Sequence, residues 1–235
     1  MVHPALRWLG GGATVAALLY WQLILAEGAY LGPRAVRLVY QLGAPYYDDV
    51  HAPTQARADA TLRPLLQTAL VATTRPTVLD IATGTGRVPL LLATDPSFDG
   101  HLAALDLAPL MLREAQRKQH TLCPDAQIGW HLGEGCHLPW ADAAFALVTC
   151  LEALEYFPQP RLALAEMVRV LRPGATLLLS KVPDQWARLL PGRALTRSAM
   201  AQTLGRLGLI DLTFAPWQHD HYELVSARKR PARAQ

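Results

Sequence analysis

Hydrophobic and polar positions fall into three regimes along the chain. The first is unbroken. From Trp8 to Ala26, "WLGGGATVAALLYWQLILA", nineteen positions carry no charge, with Arg7 before them and Glu27 after. That is close to the ~20 residues a helix needs to span hydrocarbon. The run exceeds the roughly 7 to 15 residues of a signal-peptide core, and no A-x-A site follows it. It predicts a membrane-embedded helix.

The second regime is periodic. In "LGPRAVRLVYQLGAPYYDDV", Pro33 suits a helix start and Gly43 a helix end. Leu31, Ala35, Leu38, Val39 and Leu42 make one face, while Arg34, Arg37 and Gln41 lie together on another. Such a helix suits the headgroup level of a bilayer, or equally a position packed on the protein itself. The spacing of Leu62, Leu65, Leu66, Ala69 and Leu70 predicts a further helix over 54–76.

In the third regime, apolar runs alternate with helical stretches. Strands are predicted at "TVLDIA", "HLAALDL", "AQIGWHL", "AFALVTC", "ATLLLS", "LIDLTFA" and "HYELVSA". Helices include "APLMLREAQRKQ" and "PRLALAEMVRVL", the latter stopped by Pro173-Gly174. This order predicts an α/β, doubly wound, mostly parallel sheet of seven strands covered on both faces. Only "PWQHD" separates the last two strands, so the sheet ends in an antiparallel hairpin.

Composition sharpens the first regime. The chain is 51% hydrophobic and only 17% charged, against roughly 25% charged for an average soluble domain. Part of it therefore meets something other than water. A net charge of +3 is too mild to point to nucleic acid. Basic residues gather at the end (Arg228, Lys229, Arg230, Arg233), as a solvated tail or a contact for anionic headgroups. Cys123, Cys136 and Cys150 have no metal-ligand spacing and read as reduced thiols.

Candidate chemistry lies in "VLDIATGTGRVPLLLA", residues 78–93. A buried strand ends at Asp80 and passes into a turn with Gly84 and Gly86, which lack a Cβ and let a ligand approach the backbone. The helix behind the turn offers free N–H groups. Asp80 would repel a pyrophosphate but attract an ammonium. Asp106 ends the next strand, where an acid can accept from both hydroxyls of a ribose. Two acids around a glycine turn suit a ligand with a ribose and a cationic end.

"VLDIATGTG" and "ALDLAPLML" resemble the first motifs of class I S-adenosylmethionine-dependent methyltransferases. The resemblance continues through "GEGCHLPWADAAFALVTCLEALEYFPQPRLALAEMVRVLRPGATLLLS" and ends in the final strand-loop-strand, covering residues 46–229. It implies a Rossmann-like fold and S-adenosyl-L-methionine as cofactor. It also implies roles. Asp80, Ala82, Thr83, Gly84, Thr85 and Gly86 would hold the methionine part, and Asp106 the ribose. Leu107 and Met111 would lie against the adenine. Glu134 and Gly135 stand where the family contacts the adenine amino group, and Cys150 and Leu151 would line the methionine end. Tyr46 and Tyr47 resemble the aromatics that close over the cofactor in many members. Ala82, Ala146 and Ala175 depart from the family's usual residues.

The expected activity is methyl transfer to a small lipophilic acceptor: a quinone precursor, an isoprenoid or a lipid headgroup. The substrate side offers the apolar segment "PDQWARLLPGRAL" with Trp186, Leu189 and Leu190, and the apolar front of the chain. Residues 1–45 would anchor the chain to a membrane, 46–229 form the methyltransferase domain, and 230–235 a basic tail. The cofactor is made inside cells, which puts the domain on the cytoplasmic side. Glu152, Glu155, Tyr156, His219 and His221 are candidate bases, and none is assigned; no metal site is expected. An NAD(P)-dependent oxidoreductase is the alternative, against which Pro89 replaces the third glycine of GxGxxG. A non-catalytic, membrane-tethered binding protein on the same fold is the other.

Overall fold

The computed structural model describes residues 17–218 and 221–232. Residues 17–25 are helical, ending in a π-turn at Trp21–Leu25. The elements that follow are α1 (Pro33–Gly43), α2 (Tyr47–Leu70), β1 (Thr77–Ile81), α3 (Arg87–Ala93), β2 (His101–Asp106), α4 (Pro109–Leu122) and β3 (Ile128–Leu132). Then come β4 (Phe145–Cys150), α5 (Pro160–Val170), β5 (Leu171–Lys181), α6 (Asp184–Ala187), α7 (Arg197–Arg206), β6 (Leu209–Trp217) and β7 (Tyr222–Lys229).

The seven strands form one sheet in the order β3-β2-β1-β4-β5-β7-β6. Neighbours from β3 to β5 are parallel, and β7 runs antiparallel to both β5 and β6. The expected doubly wound α/β sheet with an antiparallel ending is present. Alternation along the strands assigns the two faces. Val78, Leu147 and Leu178 pack with Leu62, Leu66 and Leu70 of α2 and Leu92 of α3. Leu79, Val148 and Leu177 pack with Leu164 and Met167 of α5 and Met200 and Leu204 of α7. All six residues of β4 are buried, as a strand covered on both faces requires. The chain reverses direction between β1 and β4, and such sheets bind ligands at that switch point.

Several expectations change. The helix predicted over 54–76 runs instead from Tyr47 to Leu70, through Pro53 and Pro64. Proline ordinarily marks a first turn, but here Asp48 is tied to the loop after β1, which holds the earlier turn in place. Helix α5 stops at Val170, before Pro173-Gly174, because Leu171 is already extended and paired with Phe145. Arg228 and Lys229 belong to β7 and not to a tail. Arg228 pairs with Asp211, and the Lys229 ammonium donates to the carbonyls of Val168 and Leu171 at 2.7 Å each, satisfying the end of α5.

Residues 8–16 of the predicted membrane helix lie outside the described residues, as does His219. No described helix is long and apolar enough to cross a membrane. The described end of that segment rests on the domain: the Trp21 indole donates to the Leu189 carbonyl, and the Tyr30 hydroxyl to that of Pro191. In α1 the apolar face points outward. Leu38 is 56% and Leu42 71% exposed, whereas Val36 is buried.

Candidate active site

The loop after β1 is a tight turn: the Thr83 N–H donates to the Leu105 carbonyl, and that of Gly86 to Thr83. Gly84 and Gly86 have φ of +56° and +86°, in the left-handed region. A Cβ on Gly84 would meet only Tyr47, at 4.0 Å, so it would project into a cavity. On Gly86 it would strike Trp130 at 2.8 Å; this glycine serves packing. Ala82 also takes a positive φ, +56°, at the position where glycine is usual. That conformation costs a residue with a Cβ about 1–2 kcal/mol.

Asp106 closes the other side. Its two oxygens accept from the backbone N–H groups of Gly84 and Ala108, each at 2.8 Å. These donors oppose the burial that pushes its pKa upward. Asp80 is 3% exposed and accepts from the Thr149 hydroxyl at 2.5 Å. Burial raises its pKa to about 6, against the favourable hydrogen bond.

Three cavities meet here. The first lies between the strand ends and α1, and includes Asp106, Leu107, Glu134, Gly135, Val36 and Tyr40 among its walls. The second is polar and is bounded by Asp80, Thr83, Thr85, Asp48 and Arg87. Both share Tyr47, Ala82, Gly84, Leu151 and Glu152. The third opens outward past Ile24 and Val50, and also borders Tyr47 and Glu152. Of the residues expected to bind cofactor, Met111 lines this third cavity, packed with Ala44 and Ala108. Cys150 is wholly buried in the core, and burial pushes its thiol well up. All three cysteines are free.

The roof is fastened to the floor through Asp48. Its carboxylate accepts from the Thr85 hydroxyl at 2.7 Å and from the Lys118 ammonium at 2.8 Å. Glu152 accepts from the Arg87 guanidinium at 2.7 Å and from the Gln218 amide. Arg87 also holds Asp59 at 2.7 Å and lies over the Trp217 ring. Tyr47 stacks on His51 at 4.1 Å, whereas Tyr46 is exposed. Glu155 is buried, with its pKa raised to about 7, and lines none of the three cavities. His221 is exposed in the turn before β7.

Glu27, Tyr40, His51 and Tyr222 were not expected at the site, yet all four line the third cavity. The signal available for Glu27 was its isolation: one acid ending nineteen uncharged positions. Tyr222 is brought in by the antiparallel β7, 195 residues from Glu27.

The pattern of the family described as "Methyltransferase domain" matches residues 79–179. A demethylmenaquinone methyltransferase of Deinococcus radiodurans is 30% identical over 177 residues, which cover 75% of this chain and 71% of that protein. One of Lactiplantibacillus plantarum is 37% identical over 110 residues, 46% of each chain, so the match spans under half of that relative's length. Among solved structures, the cyclase SpnF superposes with a TM-score of 0.71 at 18% identity, over 86% of this chain and 97% of its own. That likeness concerns the fold.

Proposed function

Because the chain belongs to the S-adenosylmethionine-dependent methyltransferases, we propose that it methylates a small lipophilic acceptor at a membrane surface. The quinone-precursor class heads the acceptors, since the relatives above are named for a demethylated menaquinone. The observation that carries the reading is the meeting of the three cavities at Tyr47 and Glu152.

The residues present fit the cofactor. Asp106 has its carboxylate fixed by two backbone donors at the wall of the first cavity, ready to accept from ribose hydroxyls. Leu107 and Val36 offer apolar walls to a flat base, with Glu134 and Gly135 at the same cavity. Asp80, Thr83, Gly84 and Thr85 supply the polar second cavity for the amino-acid end, and Leu151 borders both. Gly86 shapes the turn, and Cys150 supports it from the core. Bound there, S-adenosylmethionine supplies a methyl group on a cationic sulfur, already activated for displacement, so positioning does most of the catalysis.

Membrane association is part of the proposal. Leu18, Leu19, Ile24, Leu31, Leu38 and Leu42 are all exposed, and Arg34 stands among them on α1. Apolar side chains with a neighbouring arginine suit the headgroup region. The domain then works on the cytoplasmic side, where its cofactor is made.

The test is calorimetric titration of the detergent-solubilised full chain with S-adenosylhomocysteine, then with NAD, each repeated on Asp106→Ala. Micromolar binding of the first ligand alone is expected. Loss of charge-assisted hydrogen bonds weakens it about 100-fold in the variant. Binding of NAD alone would establish the oxidoreductase alternative. Binding of neither would favour the tethered, non-catalytic one.

A further inference from the structure

We propose that Glu27 takes the hydroxyl proton of the methyl acceptor, and that the acceptor presents a phenolic or hydroquinone ring to the tyrosine-lined third cavity. The inference rests on the methyltransferase reading and names the substrate class and base of that same site.

The third cavity has a volume of about 320 Å³, at the lower end of the roughly 300–1,000 Å³ of small-molecule sites. Tyr40, Tyr47, Tyr156 and Tyr222 surround it, with Ile24, Val39 and Val50 toward the opening. Flat walls of phenol rings with apolar edges suit an aromatic ring carrying hydroxyl groups. Two carboxylates reach the cavity, and they differ. Glu152 already accepts from Arg87 and Gln218. Glu27 pairs with no lysine or arginine among the described residues. Its donors are neutral phenols: the Tyr156 hydroxyl at 3.1 Å, and that of Tyr40.

The backbone is bent to put it there. Glu27 has φ of +45°, a strained conformation for a residue with a Cβ, and Gly28 follows at +78°. Strain of this kind persists only where the surroundings impose it. Here Trp21 and Tyr30 fasten both flanks of the turn to carbonyls of residues 189 and 191, and Arg193 donates to the Ala29 carbonyl at 2.8 Å. Burial raises the proton affinity of Glu27, while Tyr40, Tyr156 and the nearby His51 lower it and Glu152 raises it. Tyr46 just before α2, Tyr47 on α2 and Tyr222 on β7 complete the titratable groups that line the cavity.

The step is a proton transfer. The acceptor's O–H bond breaks, its electron pair stays on oxygen, and the proton joins a Glu27 oxygen. The carboxylate becomes neutral as the ring becomes anionic, so charge is conserved. The pair left on the ring is the nucleophile, and Glu27 returns its proton to water after the product leaves.

The experiment uses the full chain loaded with S-adenosylhomocysteine and 4-nitrophenol as probe, at a pH where the free phenol is ionised. Calorimetry in buffers of different ionisation enthalpy counts the protons taken up on binding. The wild type takes up close to one proton per ligand, and Glu27→Gln takes up none while keeping its S-adenosylhomocysteine affinity. Tyr156→Phe retains the uptake but moves its midpoint to higher pH, because the carboxylate has lost a donor that favoured its charged form. Full uptake by Glu27→Gln overturns the proposal, as does a wild type that does not bind the nitrophenol. If Glu27→Gln does not fold, an unmoved midpoint in Tyr156→Phe overturns it. A wild type that fails to bind S-adenosylhomocysteine instead defeats the methyltransferase reading.

Discussion

The sheet and the cap formed by residues 17–50 treat hydrophobicity in opposite ways. In β4 every residue is buried, and the acids Asp80 and Asp106 stand at strand ends, held by donors from neighbouring loops and strands. In the cap, Leu31, Leu38, Leu42 and Val50 face outward, while Glu27, Tyr40 and Tyr47 face the cavities. The sheet is organised by burial against itself. The cap is organised by the site beneath it, and its outer surface suits a less polar neighbour than water.

Core and cap can be separated by measurement. Leu62 is wholly buried between α2 and the sheet, so Leu62→Ala lowers unfolding free energy by about 3 kcal/mol in urea titration. A loss below about 1 kcal/mol would mean that α2 is not part of the core.

Asp80 gives a smaller effect with a defined sign. Its pKa is raised to about 6 from 3.8, so the folded chain keeps a proton that the unfolded chain has already released. Stability from this group is fullest below the unfolded value and is lost as pH rises through about 6. Asp80→Asn therefore raises unfolding free energy near neutral pH by about 2–3 kcal/mol while weakening S-adenosylhomocysteine binding. The stability gain over wild type closes in acid, and melting curves at several pH values check it.

The cap gives the smallest change in folding. Leu38→Ser with Leu42→Ser alters unfolding free energy by no more than about 0.5 kcal/mol per site. The same pair lowers partition onto anionic vesicles about tenfold or more, by removing apolar area from the interface. Unchanged partition in a sedimentation assay would remove the membrane from the proposal.

How far each region could be read in advance follows from what organises it. The β1 turn was legible because Val78 and Leu79 are apolar, Asp80 is not, and Gly84 marks a close approach. Helix α1 was placed from Pro33 to Gly43 by its terminal residues, as observed. Its orientation was left open, since periodicity identifies an apolar stripe but not what lies against it. The early start of α2 was hidden by Pro53, because a long-range tie through Asp48 decides it. Glu27 read only as the flank of an apolar run, since its partners Tyr40 and Tyr156 are distant in sequence.

Helix α1 carries a conflict that no local adjustment removes. Pro33, Val36, Arg37 and Tyr40 border the first cavity, and Leu38 and Leu42 lie about 200° around the axis from Val36 and Tyr40. Rolling the helix to hide the leucines would pull Val36 and Tyr40 out of the wall. The segment is frustrated: local preference for burial and the global shape of the site point in opposite directions. Its exposed leucines are thus a standing cost of keeping the cavity closed, which a third body in contact with the cap can relieve without moving a residue.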